Sequence, residues 1–298
     1  MNLQRKAMLY GLAAVLCWST VASAFKLSLR SLSPAELLFF AALVSIFVLF
    51  VILVVQGKLG LLRRLTRDQW LLSLGLGLIN PFLYYLVLFK AYDLLPAQQA
   101  QPLNYTWAIT LSLLAIPLLK QKITGRELLA VVVSYCGVVV ISTRGDLLAL
   151  QFDSVPGVAL ALLSTIFWAL YWIYNTRSSC DPVVGLFLNF LFGLPFVFAY
   201  LLVTEGLRLP PIEGLLGAAY VGLFEMGLTF VLWLKALKLS VSTARIANLI
   251  FISPFLSLVF IYFFVGEKIL PATLVGLALI IVGLVMQQTA KRSTGEEG

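Results

Sequence analysis

The sequence predicts an all-α integral membrane protein of ten transmembrane helices, and three observations carry that reading. Of its 298 residues, 61% are hydrophobic and 11% are charged, against about a quarter charged in ordinary soluble domains. The mean hydropathy is +1.01. The apolar residues fall into runs at 7–26, 34–56, 69–91, 96–119, 125–143, 156–176, 183–203, 213–237, 241–264 and 270–289, each about the length that crosses the hydrocarbon layer as a helix. The runs are continuous in Leu, Val and Phe, whereas the strands of a membrane barrel alternate over short segments.

Taken in order, the first run follows Arg5-Lys6, passes Trp18 without a small-residue cleavage site and continues to Phe25, so it reads as a span and not as a cleaved signal. The third is broken by Asn80-Pro81. The fourth opens on Pro96 and carries Gln98, Gln99, Gln101, Pro102 and Asn104. A buried amide without a partner costs on the order of several kcal/mol in hydrocarbon, so this span faces protein or water. After it come the fifth run and a link at 145–155 with Asp146 and Asp153. The eighth span holds Glu225, and the ninth is interrupted by Ser242, Thr243, Arg245, Asn248 and Ser253-Pro254. Two matched, broken spans, the fourth and the ninth, suggest a transport site. The reading is one membrane domain over 1–298, with five-helix halves at 7–143 and 155–290 and a polar tail at 291–298.

The net charge is +8, but the basic residues sit at helix ends, which argues topology and excludes a nucleic-acid patch. With the N-terminus in the cytoplasm, fifteen of the twenty-one Lys and Arg residues lie inside, which places both termini there. Cys17, Cys136 and Cys180 show no paired spacing, and histidine is absent. No disulfide framework or His-based metal site follows, and Ser-His-Asp and Cys-His catalysis are excluded. No cofactor is implied, and no nucleotide-binding Gly-Lys-Ser/Thr motif is present.

Five crossings per half mean that a repeated second half enters the membrane from the opposite side. Lys90-Ala91 matches Lys235-Ala236, Lys120-Gln121-Lys122 matches Gly266-Glu267-Lys268, Gly137-Val138-Val139 matches Gly283-Leu284-Val285, and Trp18 and Trp168 take similar registers. The ten-span plan, the run from Ser253-Pro254 to Gly266-Glu267-Lys268 and the glycine-bearing final spans resemble the EamA-type members of the drug/metabolite transporter superfamily. The tyrosine and tryptophan content of spans three, four and six is most similar to the YddG-type exporters of aromatic amino acids. The resemblance covers nearly the whole chain. It implies inverted five-helix repeats around a central cavity that opens alternately to each side, and export across the bacterial inner membrane. The first half departs from the motif, with Gln121 where the second has Glu267.

Transport of a small solute requires a few polar groups at mid-bilayer, apolar or aromatic walls and two gates. The candidates for the cavity are Trp18, Ser19, Asn80, Tyr84, Asn104, Tyr105, Trp107, Ser164, Trp168, Trp172, Glu225 and Asn248, with hinges at Pro81, Pro102, Gly222 and Pro254. Asn80 and Tyr84 share a helix face, as do Ser164, Trp168 and Trp172. Tyr92, Tyr200 and Trp70, near span ends, are assigned to the interfacial belt. An ionised carboxylate at a helix centre costs about 2.5–3.5 kcal/mol on insertion scales, so Glu225 must be paired, protonated or wet. It either senses a substrate ammonium, carries a proton or is a neutral acid bonded to a neighbouring helix. Arg245 is read as snorkelling, and Glu267-Lys268 as a local cap and ion pair. Glycines 75, 77, 217, 222 and 227 are read as close-packing positions. The functional reading is a secondary exporter of small amphiphiles, aromatic or other apolar amino acids foremost, with the bilayer and the solute as partners and a monomer sufficient. An uptake permease and a membrane-embedded enzyme or lipid-handling protein are the alternatives.

Overall fold

The computed structural model describes the chain apart from residues 1–2, 121–122, 149–151, 176–177, 241–245, 247 and 294–298, and the side chains of 248 and 290–293. Among the described residues, nine helices are long and apolar enough to cross a membrane: α1 (Leu3–Ser28), α2 (Pro34–Val55), α3 (Arg67–Leu94), α4 (Ala97–Leu119), α5 (Gly125–Ser142), α6 (Val155–Asn175), α7 (Pro182–Thr204), α8 (Ile212–Leu239) and α10 (Pro271–Thr289). Between the last two lies a shorter apolar helix, α9 (Leu249–Val265). The sequence-derived bounds of the long spans agree with these to within a few residues. Ser242, Thr243 and Arg245, expected to break the ninth span, lie outside the described residues, as do Gln121, Lys122 and Arg177.

Local chemistry sets the helix starts. Ser33 with Glu36, Thr66 with Gln69 and Thr124 with Glu127 each form a reciprocal capping box that opens α2, α3 and α5. Asp181 caps α7 by accepting from the N–H groups of Val183 and Val184, with Pro182 in the first turn. Large apolar side chains such as Phe47, Val55, Val203 and Phe263 point outward, as expected of a surface whose solvent is lipid.

The packing partners repeat when α1–α5 are exchanged for α6–α10. Helix α1 packs on α8, and α6 on α3; α1 also packs on α9, and α6 on α4. Similarly, α2 packs on α8 and α7 on α3, while α2 pairs with α7 and α5 with α10. The α5–α10 seam shows why. A Cβ added to Gly137 would strike the Gly276 carbonyl and Ile280, and one added to Gly283 would strike the Ala130 carbonyl and Ser134. The two glycines therefore make reciprocal backbone contacts, a close approach that any side chain would prevent. Gly77 and Gly217 are likewise tight, but a Cβ on Gly75 would meet open space, so the expectation of close packing at that position is overturned.

Gly283→Ala is expected to lower the thermal midpoint of the detergent-solubilised protein, by an overpacking cost of about 1–3 kcal/mol, because the Ala130 carbonyl 2.6 Å from the new methyl is backbone and yields little. Gly75→Ala is expected to be neutral or slightly stabilising, since the helix interior favours alanine by about 1 kcal/mol. Thermal scans of the two variants side by side check both.

Candidate functional site

Two helices in matching places of the two halves are interrupted at mid-depth by π-helical turns. Helices α3 and α8 each lose regular α-geometry over one π-helical stretch, Leu78–Leu83 and Val221–Leu228. Asn80 leaves helical dihedrals altogether, at φ −140° and ψ 115°. Asn80 stands 145 residues before Glu225, and the same interval separates Gly77 from Gly222 and Lys90 from Lys235. The two polar residues thus occupy matching places in the two halves.

Both are buried, Asn80 at 1% exposure and Glu225 at 8%. The Tyr85 hydroxyl donates to Glu225 Oε1 at 3.1 Å, and Oε2 has no partner. The Trp18 indole faces the same carboxyl without closing a hydrogen bond of normal geometry. Neither amide atom of Asn80 is satisfied, although it faces Tyr171. The Tyr171 hydroxyl instead accepts from Asn189 Nδ2 at 3.2 Å, leaving Asn189 Oδ1 free. A buried polar atom without a partner costs about 1–3 kcal/mol, and these are the groups that a water or a ligand would satisfy.

A polar ladder runs beside them. The Tyr84 hydroxyl donates to Asn104 Oδ1 at 3.4 Å, and Asn104 Nδ2 donates to Ser164 Oγ at 3.0 Å, joining α3, α4 and α6. Ser19 Oγ donates to the Val15 carbonyl and lies 3.3 Å from Ser253 Oγ, which Tyr105 also faces. The aromatics form one continuous layer with Trp168 at its hub. Trp168 stacks on Tyr84 at 4.5 Å and on Tyr171 at 5.7 Å, and meets the edges of Trp107 at 6.4 Å and Trp172 at 5.9 Å. It reaches Phe230 at 6.2 Å, which in turn meets Trp18 at 5.9 Å. Each such pair contributes about 0.5–1.5 kcal/mol beyond area burial.

Eleven of the twelve sequence-derived candidates therefore belong to one connected region. The side chain of Asn248, the twelfth, lies outside the described residues. The open central chamber is not what surrounds them: the rings of Tyr84, Trp168 and Tyr171 close over one another, and each is at most 9% exposed. One cleft of about 480 Å³ lies between α4, α5 and α6, lined by Thr110, Leu113, Tyr135 and Leu162 among others, and one of about 320 Å³ lies at Gln4, Arg5, Met8 and Leu9. Neither reaches Glu225.

Sequence reasoning missed Tyr85, Asn189 and Phe230. Tyr85 neighbours Tyr84 about a third of a turn away on the helix, and only the placement of α8 shows which tyrosine meets the acid. Tyr92, assigned to the interfacial belt, is buried at 3% against Phe25. Of the hinge candidates, Pro81 and Gly222 lie in the π-helical stretches, and Gly222 also packs on the Ala41 carbonyl. Pro102 sits inside the helix Ala97–Tyr105, whose break comes at Thr106, and Pro254 follows the 3₁₀ turn Asn248–Ile252.

The end of the bundle away from the N-terminus is tied shut across the two halves. Glu267 is not a local cap: its two oxygens accept from the backbone N–H groups of Ala97 at 2.7 Å and Gln98 at 3.0 Å, at the start of α4. Gln98 answers by donating to the Lys268 carbonyl at 2.9 Å and accepting from Leu270 N–H at 2.9 Å and Thr273 Oγ1 at 3.1 Å. A carboxylate on exposed helix N–H groups is favoured by the helix dipole. Lys26 adds donations to the Tyr92 and Leu95 carbonyls. At the N-terminal end, Lys58 pairs with Asp181 at 2.7 Å and Gln69 donates to Ser179. Burial pushes the Asp181 carboxyl up, but Lys58 and the N–H groups of Val184 and Val183 outweigh it and hold the group below the usual aspartate range. What Asp181 contributes to stability is therefore present above its unfolded pKa and fades as the pH falls through its lower folded value.

Removing the Glu267 carboxylate is expected to loosen the closed end. In a background lacking Cys17, Cys136 and Cys180, a cysteine at Gln101, buried just below this network, should react with a membrane-impermeant maleimide about fivefold faster when Glu267→Ala is added, the effect of losing about 1 kcal/mol of closure. An unchanged rate would mean that Glu267 does not hold this end closed.

Comparison with known proteins agrees with this architecture. The pattern that defines the EamA-like transporter family matches the chain twice, over residues 5–143 and 155–287. An uncharacterized transporter of Clostridium kluyveri is 24% identical over 276 residues, covering 89% of this chain and 87% of the relative. One from Archaeoglobus fulgidus is 25% identical over 283 residues, covering 93% and 95%. A solved crystal structure superposes with a TM-score of 0.69 at 21% identity, covering 97% of this chain and 98% of the other, a likeness of fold.

Proposed function

Because the chain belongs to the EamA-like transporter family, we propose that it is a secondary transporter exporting small amphiphilic metabolites, aromatic or other apolar amino acids among them, across the bacterial inner membrane by alternating access. The observation that carries this reading is the pair Asn80 and Glu225: buried, incompletely hydrogen-bonded, placed on the interrupted stretches of two matching helices, and walled by aromatic rings. Broken helices that bring unsatisfied polar groups to mid-bilayer are the usual construction of a transporter site.

In this reading 7–143 and 155–290 are inverted repeats. The twofold family match, the odd number of spans per half and the reciprocal Gly137 and Gly283 contacts support it. The Lys and Arg distribution favours a cytoplasmic N-terminal end. The Glu267 network then closes the outer mouth, and the exporter loads from within. Opening outward requires α4 to leave the loop between α9 and α10, with bending near Pro81, Pro102, Gly222 and Pro254, while the Lys58–Asp181 end draws together. A single chain supplies every group in the scheme.

The purified full chain in liposomes is expected to carry a radiolabelled aromatic amino acid or amine without chemical change. Trp168→Ala and Trp107→Ala should each alter the ranking of unlabelled competitors, with single-compound shifts of about 3- to 10-fold, as expected from losing one or two aromatic contacts. Identical rankings in both variants would remove the aromatic layer from the site.

A further inference from the structure

The charge at the bundle centre is lopsided. Among the described residues the ion pairs are Lys58 with Asp181, Lys90 with Asp93 and Arg144 with Asp153, all at helix ends. None involves Glu225. That carboxyl accepts one bond, from Tyr85, and has a second oxygen with no partner. Its counterpart in the first half is the neutral Asn80, so the symmetric arrangement carries an acid on one side only.

The remaining free groups nearby are neutral. Asn80 Nδ2 and Trp172 Nε1 are donors without acceptors, and Asn80 Oδ1 and Asn189 Oδ1 are acceptors without donors. Around them stand the ring systems of Trp18, Tyr84, Trp168 and Phe230. Ring faces attract a cation, more strongly when both are out of water. A buried carboxylate attracts the same cation. A substrate carboxylate in this place would meet two neutral donors and repulsion from Glu225, which a low-dielectric interior screens poorly.

We infer that the site selects a monocationic amine with a flat apolar body over the zwitterionic amino acid of the same body, and that Glu225 sets the preference. The inference rests on the transport reading above and narrows its substrate class. An amino acid whose carboxyl is esterified or absent fits the inventory, because it brings the one charge the centre lacks. Arg245 is a basic residue of the ninth apolar run in the sequence and lies outside the described residues, so it enters the test as a control for a substrate carboxylate.

The test is uptake of radiolabelled trimethyl(2-phenylethyl)ammonium, a permanent cation that does not leak, into liposomes holding the full chain, parallel uptake of labelled phenylalanine, and competition by unlabelled phenylalanine, phenylalanine methyl ester and 3-phenylpropionate. The ester is expected to compete about tenfold better than phenylalanine, with 3-phenylpropionate weakest, the scale of one desolvated cation contact. Glu225→Gln should erase that order, and Glu225→Asp, which keeps the charge, should retain it. Elution as a monodisperse species shows that each variant is folded. Phenylalanine competing as well as its ester, Glu225→Gln weakening all competitors alike, or Arg245→Ala weakening phenylalanine selectively would each overturn the inference. If labelled phenylalanine is transported and the cation is not, this inference falls and the transport reading stands. If neither compound crosses faster than in empty liposomes, both fall.

Discussion

Hydrocarbon offers no hydrogen bonds, and the rest of the structure depends on that constraint. Each polar group in a span must find a partner inside the bundle or stand beside something that brings one. The chain meets the demand unevenly. At the far end Gln98 and Glu267 satisfy one another's surroundings almost completely. At mid-depth Asn80, Glu225 and Asn189 keep unfilled valences among aromatic rings. The contrast separates groups that tie helices together from groups whose hydrogen bonds the fold leaves unmade.

Pseudo-symmetry and its breaking do different work. Small residues make the two halves interchangeable as packing units: Gly137 and Gly283 use the same backbone approach, as do Gly77 on α7 and Gly222 on α2. An acid in only one of two matching places makes the centre directional in charge. In sequence, Glu267 of the second half stands against Gln121 of the first.

The aromatic layer explains how the centre survives without an open chamber. Trp168 touches rings from α3, α4, α6 and α8, so the two halves share one packed aromatic surface. Stacked and edge-on arrangements differ little in energy. Such a layer fills the centre of the bundle.

The sequence by itself determined the membrane class, the span limits and the family, because these follow from hydropathy runs, breakers and spacing along one chain. It also picked out Asn80, Tyr84, Asn104, Trp168 and Glu225, since amides, an acid and mid-span aromatics are costly in lipid wherever they sit. Only the tertiary structure decided that Tyr85 and not Tyr84 bonds Glu225, that Glu267 caps a helix some 170 residues away, that Gly75 is unneeded for packing, and that Tyr92 is buried. Those facts depend on the rotation and depth of one helix against another. Neighbouring tyrosines or glycines two apart in a helix differ by roughly a third to a half turn, and nothing in their local spacing says which of them the partner helix will meet.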